Sequence, residues 1–264
     1  MVKQIKENFE KKFRVCVGSL KKAVSTKDGE WVIKGFIDTS KRIYTVSADT
    51  KVVSKIMELL IFPEITKFAN DNNLQLILTA HQNHYPDITF KDESGNLFAV
   101  DIKSTYRKNS RSVNGMTLGA FTGYFRNRES TKNIPYPYKD YAGHYVLGLI
   151  YTRSDEDIDE TTSYSIDDLS KIKSVVTDSE FFLAEKFKIA IDRPGSGNTK
   201  NIGGITLIED LVNGKGPFSV LGEHVFDDYW TNYLTTDMAK KEGHKEQPYK
   251  NLKTYAEYKK NQKK

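Results

Sequence analysis

The sequence predicts an α/β fold in which a central mixed β-sheet is flanked by helices. Three observations predict it. Apolar residues recur at helical spacing near the N-terminus and again after residue 49, several apolar runs of strand length lie between residues 74 and 153, and helical patterns return near the C-terminus. The composition fits a packed core: 38% hydrophobic, 28% charged, with 15 Tyr and 14 Phe. A chain of 264 residues suits one domain, or one domain with a small appendage.

Taken in order, Ile5, Phe9 and Phe13 stand at i, i+4 and i+8 among Lys and Glu, which predicts an amphipathic helix over 3–14. Its stripe needs cover from the same core or from a second subunit. Apolar stretches at 15–20, 30–37 and 42–46 are expected as short strands or irregular connections. The capping residues of 47–51 open a helix bearing Val52, Ile56, Leu59, Ile65 and Phe68, and Pro63 is expected to split it into two pieces. Residues 74–80 (LQLILTA) predict a buried strand, 87–90 continue extended, and 97–104 (LFAVDIKS) form the clearest strand, with a turn at 94–96 between the last two.

Residues 117–127 are expected as a helix weakened by Gly119 and Gly123, and 145–153 (YVLGLIYTR) as a central strand. An acidic surface loop is expected at 155–160, an apolar extended segment at 181–191, a Gly- and Asn-rich segment at 195–204, and helices at 223–235 and 249–260. No run approaches the 18 or more apolar residues of a membrane span, and the N-terminus lacks the pattern of a secretory signal, so a cytoplasmic protein is expected. Cys16 is the single cysteine, which excludes an internal disulfide and a multi-thiolate zinc site; it is expected to be a small buried hydrophobe. The formal net charge is +5, and residues 237–264 alone hold nine Lys against four Asp or Glu. That stretch, with Tyr249, Tyr255 and Tyr258, is either solvated surface or a strip that lies along phosphates.

The chemistry concentrates at 86–103. Along the strand Phe98-Ala-Val-Asp101-Ile-Lys103, side chains alternate with period two, so Asp101 and Lys103 share one face, about 7 Å apart, while Phe98, Val100 and Ile102 point into the core. Asp87 follows Pro86 and is separated from Asp101 by 13 residues, enough for a strand, a turn at Gly95 and a return strand. Such a hairpin brings Asp87 beside Asp101. Two converging carboxylates make a hard oxygen site suited to Mg²⁺, and Lys103 stands where negative charge builds on phosphorus. Each piece alone is commonplace, an Asp after Pro being usually a turn or cap; their combination at hairpin spacing is not.

This P-D…D-x-K pattern resembles the PD-(D/E)xK nuclease superfamily, and the resemblance extends to one family of type II restriction endonucleases through 49–60 (DTKVVSKIMELL), 81–90 (HQNHYPDITF), 99–106 (AVDIKSTY), 126–141 (RNRESTKNIPYPYKDY), 148–153 (GLIYTR) and 195–204 (GSGNTKNIGG). It covers roughly residues 44–235 and implies a restriction-endonuclease-like fold whose homodimer forms a DNA-binding cleft. It implies that Asp87 and Asp101 bind Mg²⁺, that Lys103 orients the attacking water, and that Glu58 helps bind the metal or shape the site. By spacing alone Glu58 is a surface partner of Lys55 at i, i+3.

The resemblance further implies that Gly195, Ser196, Gly197, Asn198, Thr199, Lys200 and Asn201 form a loop that enters the major groove; without it the segment is a Gly-rich hairpin loop. Gln82, Asn83 and His84 correspond to a second DNA-facing loop, with His84 positioning rather than acting as a base, and Thr50 and Lys51 are expected DNA contacts. The implied target is GATATC cut bluntly, leaving 5′-phosphate and 3′-hydroxyl ends. Lys200 departs from the family, which has a smaller residue there, so inner or flanking bases are expected to differ. One domain is expected, with a 1–48 N-terminal and dimerisation region, a 49–235 catalytic and recognition core and a 236–264 basic tail. Expected partners are double-stranded DNA, a second copy and, in the host, a cognate DNA methyltransferase. The alternatives are a structure- or damage-directed repair nuclease of the same fold and a non-catalytic DNA-binding protein.

Overall fold

The computed structural model describes residues 2–79, 81, 84–154, 159–196 and 199–262. Helix α1 (Val2–Val24) begins on the predicted stripe and continues past residue 14, burying Phe9, Phe13, Val17, Leu20 and Val24. Residues 15–20 are therefore helical, not a strand or connection, because the same stripe runs on through them. Strands β1 (Gly35–Ile37) and β2 (Ile43–Thr45) pair antiparallel, Phe36 opposite Tyr44.

Helix α2 (Thr50–Asp71) is one helix where two pieces were expected. The Asp49 carboxylate caps it by accepting from the Lys51 and Val52 backbone N–H groups. Pro63 removes one donor, the one that would bond the carbonyl of Leu59, a residue 58% exposed. Buried Ile56 and Ile61 before Pro63, and Ile65 and Phe68 after it, hold both halves on one line. The Phe13 ring of α1 lies 4.8 Å from Phe68, and Phe9 lies 6.2 Å from it.

Strand β3 (Gln75–Leu78) is exposed at both ends instead of buried, since it is the edge of a five-stranded sheet ordered β3-β4-β5-β7-β9. Within that sheet β4 (Ile88–Lys91) and β5 (Leu97–Tyr106) form the expected hairpin, and Gly95 turns it at φ 86°. Strand β6 (Thr117–Ala120) and a 3₁₀ turn at Gly123–Phe125 replace the helix expected at 117–127. Gly119 and Gly123 take φ 87° and 59°, which a right-handed helix does not admit.

Strand β7 (Tyr141–Arg153) contains the predicted central strand, and β8 (Ser163–Tyr164) adds to β1 and β2. Residues 155–158 of the predicted acidic loop lie outside the described set. Strand β9 (Val176–Glu185), a 3₁₀ turn at Lys186–Ile189 and β10 (Ala190–Pro194) occupy the apolar segment. Strand β11 (Asn201–Gly204) then pairs with both β10 and β6. Five helices follow: α3 (Ile208–Asn213), α4 (Phe218–Leu221), α5 (Glu223–Asn232), α6 (Thr236–Lys241) and α7 (Leu252–Gln262). The chain is thus a mixed α/β structure with a central mixed sheet flanked by helices.

Two units partition the chain. The first holds Met1–Gln75, Ile102–Asn114 and Leu147–Leu183, with α1 packed on α2 and the sheet β1-β2-β8. The second holds Leu76–Asp101, Gly115–Val146 and Ala184–Lys264, with the β4–β5 hairpin, the sheet β10-β11-β6 and an aromatic core around Tyr229 and Trp230. Two of the tail tyrosines join that core. Tyr249 and Tyr255 are buried, and their hydroxyls donate to the Tyr229 carbonyl and the Asp228 carboxylate. Cys16 is half-buried, and burial pushes its thiol up to about 11. Among the described residues no helix is long and apolar enough to cross a membrane.

Candidate active site

Antiparallel pairing sets the carboxylate geometry. Ile88 opposes Val100, so Asp87, one step outward on one strand, faces Asp101, one step onward on the other. Thr89, Phe90, Phe98, Ala99 and Val100 are buried, which covers both faces of the hairpin. The expectation that only alternate positions would face a core is corrected accordingly: Asp101 is itself 5% exposed, while Asp87 is half-buried. Among the described residues no three or more His, Cys, Asp or Glu gather to hold an ion.

An aromatic bed lies beneath the pair. The Tyr85 hydroxyl meets His144 Nδ1 at 2.9 Å, with both residues buried. Tyr124 stacks on Tyr85 at 5.0 Å, and Tyr138 stacks on His144 at 3.8 Å. Burial holds the phenols of Tyr85 and Tyr138 well above the usual tyrosine range. Burial also raises Tyr124, and the charges of Asp101 and Asp87 add to the effect. These rings stay neutral and act as a stiff support.

Lys103 and Glu58 belong to the first unit. They line one cavity of about 190 Å³ with Ser54, Ser104 and Phe181. The Ser54 and Ser104 hydroxyls are hydrogen-bonded, tying α2 to β5. Glu58 accepts from Lys55 Nζ at 2.9 Å, the i, i+3 pair that spacing alone suggests. Lys103 is half-buried on β5, two residues beyond Asp101, and the chain passes from the second unit to the first between Asp101 and Ile102.

The expected DNA-facing residues fall in several places. Thr50 and Lys51 open α2, with Lys51 exposed. His84 is half-buried, its ring 4.8 Å from that of His81; Gln82 and Asn83 lie outside the described residues. The 195–201 segment joins β10 to β11, and Gly195 N–H closes it on the Asn201 carbonyl at 3.0 Å. A Cβ at Gly195 would lie 2.6 Å from Thr117 Cγ2, so a side chain there requires Thr117 to shift. Thr199 N–H donates to the Ser196 carbonyl at 2.9 Å, and the Thr199 hydroxyl accepts from Asn201 N–H at 3.0 Å. Lys200 is exposed, and its carbonyl accepts from Phe121 N–H. Gly197 and Asn198 lie outside the described residues.

Sequence inspection passed over Tyr85, Tyr124, His144 and Lys186. Lys186 carried the one available signal, a lysine inside the apolar run FFLAEKFKIA. The aromatic residues carried none, because buried rings look alike in a sequence whether or not they border a site.

Known proteins match this chain over most of its length. The family model described as Restriction endonuclease EcoRV matches residues 27–260. The type II restriction enzyme EcoRV of Escherichia coli is 36% identical over 236 residues, which span 88% of this chain and 93% of that one.

Proposed function

Because this chain belongs to the EcoRV family of type II restriction endonucleases and is a site-specific deoxyribonuclease, we propose that it cuts double-stranded DNA bluntly at GATATC or a close variant, using Mg²⁺ and acting as a homodimer. The observation that carries the reading is Asp87 opposite Asp101 beside the register pair Ile88–Val100.

The donor chemistry fits the ion. Mg²⁺ takes one or two carboxylates and fills its remaining positions with water and phosphate oxygens, so two aspartates suit a site shared with substrate. When bound, Mg²⁺ supplies a Lewis acid for a phosphoryl oxygen and lowers the pKa of water. Asp87 and Asp101 hold and orient it. Lys103 offers an ammonium to the charge that develops as water adds to phosphorus and the bond to the 3′ oxygen breaks, leaving a 5′-phosphate and a 3′-hydroxyl. Glu58, braced by Lys55, shapes the cavity that Lys103 lines and serves as a further acidic group for the metal.

Base reading falls to Gly195, Ser196, Gly197, Asn198, Thr199, Lys200 and Asn201. Among its described residues, Gly195 N–H donates to the Asn201 carbonyl and Asn201 N–H to the Thr199 hydroxyl, which brace the base of the segment. Gln82, Asn83 and His84 are further contacts to the duplex, and Thr50 and Lys51 meet phosphate at a helix N-terminus. A palindrome calls for two identical subunits. The β1–β2 ribbon leaves Phe36, Ile37 and Tyr44 at 53%, 59% and 41% exposure, an apolar surface that a second copy covers. A methyltransferase of matching specificity is the host's protection, and the cytoplasm is the compartment.

Plasmid cleavage with Mg²⁺ and sequencing of ends cut from a random DNA library test this reading. Discrete blunt cuts at one palindrome support it, and a deviation from GATATC assigns the difference to Lys200. Asp101→Ala should abolish cutting while DNA binding remains measurable. Sequence-independent cuts, or full activity in that variant, would overturn the proposal.

A further inference from the structure

Lys186 is 1% exposed, in the 3₁₀ turn between β9 and β10. Its Nζ lies 4.6 Å from the centre of the Tyr85 ring, 5.5 Å from Phe125 and 5.7 Å from Tyr138. Ring faces attract an ammonium, yet at low dielectric a buried cation also needs negative charge nearby. The same unit carries two carboxylates, Asp87 and Asp101, on its hairpin. Tyr85, beneath the ammonium, stands two residues before Asp87, and the charge of Asp101 acts on its phenol. Tyr124, stacked on Tyr85, feels both Asp101 and Asp87. A Cβ on Gly119 would lie 3.3 Å from the Tyr124 hydroxyl and 3.6 Å from Lys186 Nζ, so phenol and ammonium share that glycine as a neighbour.

We infer that Lys186 is the buried counter-charge of the Asp87–Asp101 pair, offsetting the repulsion between the two carboxylates and weakening their hold on a cation. It touches no substrate and acts through the aspartates, as a positioning residue. The inference rests on the reading of that pair as the metal site. Removing the ammonium leaves the pair more negative, and a multivalent cation then binds more tightly. A neutral chain of similar length keeps the slot between the rings filled, so the fold survives.

The test is terbium(III) binding to the full chain without DNA, followed by luminescence sensitised through Tyr85 and Tyr124. Lys186→Met should bind terbium at least about fivefold tighter than the parent, as expected for a nearby unit charge at intermediate dielectric. Its melting temperature should be equal or higher. Lys186→Gln repeats the measurement with a second neutral side chain, and Lys186→Arg should restore the parental affinity. Equal or weaker binding in both neutral variants, or tightening in the arginine variant as well, overturns the inference alone. Emission that is absent in the parent, or unchanged in Asp101→Asn, removes the metal reading and this inference with it.

Discussion

Replacing Tyr85 by phenylalanine isolates one hydrogen bond beneath the carboxylate pair. The hydroxyl meets His144 Nδ1 at 2.9 Å, and the two residues are 4% and 6% exposed, so water cannot replace the lost partner. Leaving a buried polar group unpaired costs about 1–3 kcal/mol. At about 2.1 cal/mol/K per residue, 264 residues give an unfolding entropy near 0.55 kcal/mol/K, so a loss of about 2 kcal/mol lowers the melting temperature by about 4 °C. Differential scanning calorimetry of Tyr85→Phe, His144→Ala and the double variant measures the effect, and the cycle should show coupling of about 1 kcal/mol or more. A shift below about 1 °C, or strictly additive single variants, would refute the reasoning.

Lys103→Ala should slow single-turnover cleavage by about 10²–10³-fold, the loss typical of one charge-stabilising donor, while affinity for uncut DNA changes far less; a loss below about tenfold contradicts the assigned role. Phe13 is fully buried, with its ring 4.8 Å from Phe68, so Phe13→Ala should cost about 3–5 kcal/mol in urea unfolding, and a cost under about 1 kcal/mol would deny the α1–α2 packing. The Asp159 carboxylate accepts from the Thr161 hydroxyl at 2.6 Å, from the Thr162 hydroxyl and from the Thr161 backbone N–H, which together hold it down to about 2. Because the folded value lies below the usual 3.8, its contribution is present above about pH 4 and is lost as pH falls toward about 2. An NMR titration of this carboxyl with a midpoint near the usual value would contradict the assignment.

The hairpin was legible because it is local. Thirteen residues with one glycine turn can pair Asp87 with Asp101 in few ways, and the alternation of 97–104 announces a strand. Helix α1 outran its prediction because Val17, Leu20 and Val24 extend the stripe of Phe9 and Phe13. Pro63 misled for a related reason. Its penalty is visible locally, whereas the contact of Phe68 with Phe9 and Phe13 that offsets it comes from a helix far away in sequence.

The chain alone determined that two aspartates and a lysine stand on a hairpin, that a Gly- and Asn-rich segment follows an apolar run, and that Lys55 and Glu58 lie one helical turn apart, since each depends on short-range periodicity. Tertiary structure alone decided which groups lose contact with water. Asp101 and Lys186 are buried, Tyr249 and Tyr255 turn into the core, and Gly119 enters a strand paired with β11. Burial and strand pairing depend on partners distant in sequence, and no local pattern encodes them.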